Sequence, residues 1–394
     1  MKTMLAALAI AALVGGPLNA SAVPLVPQHD DEIVETLPAA AGAARAQERQ
    51  LRRELASQPR NAELARLLAG RELARAHALG DPRYAGLALA ALGGWPEGDE
   101  QTPAEILVLR ADVLQYLHQF DAAAATLDRL LARRSSIAQP QAWLSLATIR
   151  RVQGRYAESD AACRQVSAAG AAVHGSACMA ENAALRGDVE RARSTFAGLI
   201  AMPRQAPATR AWLMTSLAEL EQRAGRPAAA EAAFKGALQS APGDAYASLA
   251  YADLLIEMQR PSEALTVLKD QPRSDAVLLR LAIAGRQAGS AQAIADAREM
   301  RERITLENER PETSRLHGRE QAMFELSVDD GDRRSAAMRA VELARGNVAT
   351  QREPLDLLVY AQAARRSGDA AARADADRLI AQIGLRDERI RALP

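Results

Sequence analysis

The chain has 394 residues, with 49 Lys plus Arg against 49 Asp plus Glu, 48% hydrophobic residues and only 3% aromatic ones. Charges of both signs are interspersed rather than gathered in blocks, which excludes the basic stripe that nucleic-acid binding requires. An interior built mainly from Ala and Leu suits close-packed helices and not a sheet, so an all-α fold is expected.

The first 22 residues combine Lys2, an apolar run from Leu5 to Val14, a Gly15-Gly16-Pro17 break and Ala20-Ser21-Ala22. This is the pattern of a cleavable secretory signal, with cleavage expected after Ala22, and the run is short against the roughly 20 apolar residues that spanning a bilayer needs. The mature chain is therefore expected in the periplasm or secreted, with no integral membrane segment left. Residues 23–42 carry three prolines and an acidic cluster without a helical period, and read as an extended leader. Residues 43–394 read as one helical array, starting with a charged helical stretch that Pro59 to Asn61 breaks.

From Ala62 onward the pattern predicts nine helix hairpins, at about 62–93, 104–133, 140–168, 173–201, 210–241, 245–271, 275–302, 316–345 and 354–383. Six predicted turns carry Gly154, Gly187, Gly225, Gly289, Gly331 and Gly368. Seven residues before most of them stands an alanine: Ala147, Ala180, Ala218, Ala282 and Ala361. The same offset leads from His118 to Ala111 and from Gln259 to Ala252. A recurring small residue lets the two helices of a hairpin approach closely, and a residue in the left-handed region makes the turn. Intervals of 36, 33, 38, 34, 30, 42 and 37 residues between turns match one two-helix unit each.

The best-formed unit, residues 211–244, resembles a tetratricopeptide repeat (TPR), matching its pattern with Leu217, Ala218, Gly225, Ala230, Phe234, Ala237 and Pro242. Neighbouring units match in part, through Trp143, Leu146, Ala147, Gly154 and Tyr156, through Ala180, Gly187, Ala192 and Phe196, and through Tyr251, Ala252 and Ala264. Arg150 and Glu221 stand where the family usually has an aromatic residue, and Phe324 where it has a small one. The resemblance implies a right-handed TPR-like α-solenoid whose first helices line a concave groove that holds a partner's peptide or helix. More narrowly, the chain is similar to secreted bacterial proteins of this family.

In that register the groove residues are Asp112, Tyr116, Thr148, Arg151, Glu181, Glu219, Arg223, Asp253, Glu257, Arg280 and Arg286. Separated Arg and Asp/Glu side chains on a concave wall suit charge-assisted hydrogen bonds to a peptide; the alternative is a set of solvated charges. Arg110 falls where a large apolar side chain belongs, either as an ion-pair member or because the register slips there. Cys163 and Cys178 fall on packed neighbouring helices, and an even count in an oxidising compartment favours a disulfide between them over two buried thiols that do not meet. The five histidines, His29, His77, His118, His174 and His317, form no metal-ligand pattern, and neither a nucleophile motif nor a phosphate loop is present. No cofactor is expected, and the partner is expected to be another protein. The reading that follows is a non-enzymatic interaction scaffold exported to the periplasm; the alternative is an adaptor subunit of an envelope polysaccharide, cell-wall or secretion machine.

Overall fold

The computed structural model describes residue 29 and residues 39–133, 139–309, 318–328 and 331–394. The expected signal 1–22 and most of the expected leader 23–42 lie outside these residues, as does His317. The chain divides into two units, 1–50 and 51–394. Of the first, the described part is the exposed His29 and the beginning of α1 (Ala39–Ser57); everything below concerns the second.

All regular structure among the described residues is helical. Nine hairpins follow α1: α2 (Ala62–Leu79) with α3 (Pro82–Ala91), α4 (Ala104–Tyr116) with α5 (Phe120–Leu131), α6 (Pro140–Val152) with α7 (Tyr156–Ala168), and α8 (Ala172–Leu185) with α9 (Val189–Ala201). Then come α10 (Pro207–Arg223) with α11 (Pro227–Ser240), α12 (Ala245–Glu257) with α13 (Pro261–Leu268), and α14 (Asp275–Gln287) with α15 (Gln292–Asn308). The last are α16 (Gly318–Ser327) with α17 (Arg333–Val348) and α18 (Pro354–Ser367) with α19 (Ala370–Ile383). A short α20 (Glu388–Arg391), which the sequence pattern does not suggest, ends the chain.

The turns explain why the hairpins form where they do. In six of them the N–H two residues beyond the first helix's C-cap donates to the carbonyl five residues back, as in Arg155 to Arg150 at 2.8 Å and Arg226 to Glu221 at 2.9 Å. This closure requires a left-handed residue in between. Gly154 and Gly225 supply it with φ of 75° and 71°, and His118 and Gln259 adopt it with φ of 55° and 58°. The two non-glycine turns therefore keep the register, at a local cost of roughly 1–2 kcal/mol each. Ala111, Ala147, Ala218, Ala252, Ala282 and Ala361 are all fully buried, and Ala180 nearly so, which confirms the close helix contact that their spacing implies.

Departures from the family pattern have local reasons. Arg150 reaches back to Asp128 at 2.9 Å, and the buried Glu221 takes Arg193 at 2.9 Å, so ion pairs bridge hairpins where aromatic rings would otherwise stack. Phe324 is buried against Leu278, Ile283 and Met300, with the Arg301 guanidinium 5.4 Å from its ring centre. Arg110 is neither an ion-pair member nor a sign of slipped register: it donates to the Leu92 carbonyl at 3.1 Å and to that of Trp95, pinning the loop before α4, while Ala111 beside it stays buried.

The stack curls until its first hairpin meets the seventh. A Cβ on Gly80, in the first turn, would lie 2.7 Å from the Ser274 side chain at the start of α14. The chain then crosses to the edge formed by the middle turns. The Arg352 N–H donates to the Val152 carbonyl at 2.7 Å, and the Arg386 N–H to the Leu185 carbonyl at 2.8 Å. Ile383 packs on Gly154, Arg386 on Gly187 and Glu388 on Gly225, while Arg389 reaches Glu257 at 3.1 Å. The C-terminal segment thus runs along the turns of hairpins three to six like a strap, and Tyr156 and Leu185 share one apolar cluster with Leu357, Leu358 and Tyr360.

Cys163 on α7 and Cys178 on α8 are joined as a disulfide in this structure, with Cα atoms 5.7 Å apart. Gly175 makes the approach feasible, since a Cβ there would meet Ser167 Oγ at 2.1 Å and the Cys163 carbonyl at 2.8 Å. A loop of 15 residues closed in this way contributes about 3 kcal/mol in the chain-entropy description. Oxidised protein is expected to show no free thiol when denatured without reductant, and reduction is expected to lower its thermal midpoint; two free thiols would contradict the bridge. Truncation after Gly384 is expected to speed amide hydrogen exchange at 183–188 and 222–226, and unchanged exchange there would show that the strap holds nothing.

Candidate functional site

The curl and the strap turn the concave face into an interior. Its deep part is a chamber of about 260 Å³ lined by the first helices of hairpins three to seven and closed by residues of α16, the start of α18 and α20. A wider vestibule of about 720 Å³ adjoins it, lined by α2, α4, α6 and the start of α14. Val152, Tyr246, Leu249, Ala276, Arg319, Glu320 and Glu353 border both, so the two spaces are continuous.

Nine of the eleven residues expected on the concave wall line this interior. Arg151, Glu181, Glu219, Arg223, Asp253 and Arg280 face the chamber, and Asp112, Tyr116 and Thr148 face the vestibule. Glu257 and Arg286 line neither space, because each sits in the last turn of its helix, where the edge is already covered. Glu257 accepts from Gln222 at 2.8 Å and from Arg389 of the strap, and Arg286 donates to the Val328 carbonyl at 2.6 Å.

Most chamber charges are paired across hairpins. Arg151 pairs with Glu181, whose other oxygen accepts from Ser216 at 2.6 Å. Arg280, its side chain only 5% exposed, grips both oxygens of Asp253 at 3.0 and 2.9 Å. Arg319 holds Glu320 at 3.1 Å, Glu353 at 3.2 Å and the buried Asp356 at 3.3 Å. These pairs lock the inner helices together, and removing one partner would leave a buried charge uncompensated at a cost of about 3–5 kcal/mol. Burial raises the Glu219 carboxyl above its ordinary value. The Tyr246 hydroxyl, which donates to Glu219 at 2.5 Å, is raised well above its own chiefly by that carboxylate. Tyr246 stands at the junction of the two spaces and at 62% exposed is the most exposed of the tyrosines and phenylalanines that line them, beside Tyr116, Phe120 and Tyr156.

Sequence reasoning missed several wall residues. Tyr246 and Leu249 were legible, since they lie seven and four residues before Asp253 on the same face of α12. Arg319, Glu353 and Arg389 were not, because the returning C-terminal portion brings them in. Among the described residues no group of His, Cys, Asp and Glu is arranged to hold a metal ion.

Two family models, each described as tetratricopeptide repeat, match the chain, one over residues 108–172 and 179–245 and the other over 221–282. The chain is a tetratricopeptide-repeat protein. Such repeats make it a protein-interaction scaffold, and proteins of this family are generally non-enzymatic. Among solved structures, this tetratricopeptide-repeat chain is similar to a Rap protein complexed with competence and sporulation factor, at 13% identity over 87% of this chain and 92% of that one, with a TM-score of 0.53. That likeness is one of fold alone. Weaker likenesses are to pilF of Pseudomonas aeruginosa (14% identity, 54% and 96% of the two chains, TM-score 0.38) and to yeast Tom70 (11%, 89% and 83%, 0.40). Comparison with curated protein sequences gave no match.

The vestibule carries a titrating group. Asp112 accepts from Ser145 at 3.1 Å, yet burial dominates and raises its carboxyl from 3.8 to about 6. A raised carboxyl favours folding in its protonated form, so its contribution is fully present below the unfolded value near 3.8 and is lost as pH rises through about 6. Asp112→Asn is expected to flatten the fall in thermal midpoint between pH 4 and pH 6 that the parent shows. Parallel profiles for the two proteins would contradict the assignment.

Proposed function

We propose that this scaffold is exported to the periplasm, performs no catalysis, and receives a short extended segment of a partner protein through the vestibule, with Tyr246 as its aromatic anchor. The observation that carries the reading is the convergence of the concave-wall residues on one continuous interior whose wide part is open and lined by both polar and apolar side chains. Its volume, about 720 Å³, falls within the range of binding clefts, roughly 300–1,000 Å³. Tyr246 has the character of an interface hot spot, a rigid amphipathic ring standing in a recess. Export is supported by the pattern of residues 1–22, and the position of Cys163 against Cys178 suits an oxidising compartment. No helix among the described residues is long and apolar enough to cross a membrane.

The test is paired affinity capture from an envelope fraction, using the chain from Val23 onward and a Leu144→Trp/Thr148→Trp variant that fills the vestibule. A protein retained by the parent is expected to be lost from the variant by at least about tenfold, with unchanged helical circular dichroism. Equal retention would remove the vestibule from the account, and N-terminal sequencing that finds Met1 intact on the cellular protein would remove export.

A further inference from the structure

The chamber is built differently from the vestibule. Two opposite charges on its wall are left out of the network that occupies the others. Arg223 makes no hydrogen bond, and no ion pair within 4.0 Å, to any described residue. Glu219, one turn earlier on α10, accepts a hydrogen bond from the Tyr246 hydroxyl and from no other described group. A Glu four residues before a basic residue on a helix ordinarily pairs with it. Here the two side chains make no ion pair within 4.0 Å, though the Arg223 guanidinium still acts electrostatically on the Glu219 carboxyl, and both lie on the chamber wall. A third group is unused beside them: Tyr156 is only 4% exposed, its hydroxyl has no hydrogen-bond partner, and it lies within the electrostatic reach of Arg223. A buried hydroxyl without a partner calls for an explanation.

We propose that the inner chamber is a binding site for a small zwitterion of the α-amino acid class, its carboxylate held by Arg223 and the Tyr156 hydroxyl and its ammonium by Glu219. Size, charge and spacing agree on this class. At about 260 Å³ the chamber lies below the usual range for drug-sized ligands, so it excludes a nucleotide or a folded helix. Five arginines and five carboxylates line it, a balance that matches a ligand of zero net charge. A simple anion would satisfy Arg223 and leave Glu219 beside added negative charge; a simple cation would do the reverse. The two groups are one helical turn apart, a rise of roughly 6 Å for four residues, which a molecule with opposite charges on two substituents of one carbon can bridge. Tyr246 borders the site on its vestibule side and gives the ammonium a second oxygen beside the Glu219 carboxylate. This ligand differs in class from the partner segment proposed above, and the inference stands without that partner.

The experiment is isothermal titration calorimetry of the purified oxidised chain, residues 23–394, with each common L-amino acid, and with acetate and methylamine as the two half-ligands. At least one amino acid is expected to bind saturably and to raise the thermal midpoint, while neither half-ligand does so. Arg223→Gln and Glu219→Gln are each expected to weaken that binding about tenfold or more, the loss appropriate to one charged hydrogen bond. Tyr156→Phe, which removes only the unpartnered oxygen and keeps the buried ring, is expected to weaken it several-fold and serves if either charge variant fails to fold. No saturable heat with any amino acid would overturn the proposal. Equal binding of acetate, or binding unchanged in the variants, would do the same. Failure here would leave the vestibule test untouched, since Leu144 and Thr148 do not line the chamber.

Discussion

A helix pair of this length cannot hide its own apolar side, and the chain's structure follows from how that constraint is met. Eight of the nine pairs turn through one left-handed residue, and in seven of them a buried alanine lets the helices approach closely. The next pair covers the face that remains. With few aromatic side chains to fill gaps, the contact depends on backbones lying near one another, which is why small residues recur at a fixed offset from the turn. Where the turn residue is His118 or Gln259, the geometry persists with a side chain in the left-handed region, so the stacking outweighs the local strain.

A repeat array of this kind has contacts mainly between neighbours, and its stability is then a sum of local terms. This chain departs from that limit. The turn at Gly80 meets Ser274, and the segment from Ile383 to Arg389 follows the turns of four successive hairpins. Contacts across 132 to over 200 residues convert a row of units into a body with an interior. The ion pairs facing that interior belong to the same solution. Once water is partly excluded, each charge needs a partner: Arg280 takes Asp253, Arg151 takes Glu181, and Arg319 takes three carboxylates.

What the sequence made legible is what repeats. The nine hairpins, their turn residues and the buried alanines all follow from a short-range rule applied again and again. The face of each first helix was readable for the same reason, which placed Asp112, Thr148, Glu181, Arg223 and Asp253 on the inner wall. The return of the C-terminus was not readable. Nothing in the period of residues 352–394 marks Arg352 as a donor to Val152 or Arg386 as a donor to Leu185. Glu257 and Arg286 went astray through the same gap, because a register gives the face of a helix but not what covers its end. Arg110 shows the opposite case, where an unexpected residue type had a local use in fixing two loop carbonyls and left the register intact.

The central claim is that the C-terminal segment lies along the turns and closes the interior. The direct measurement is disulfide trapping between Gly225→Cys and Glu388→Cys, since a Cβ on Gly225 would lie 3.6 Å from the Glu388 Cβ, within the range of about 3.5–4.5 Å that a bridge needs. The account predicts rapid intramolecular bridging under mild oxidation, read as a single faster-migrating monomer band that reductant abolishes. Two thiols that stay free, or that link only between molecules, would contradict it.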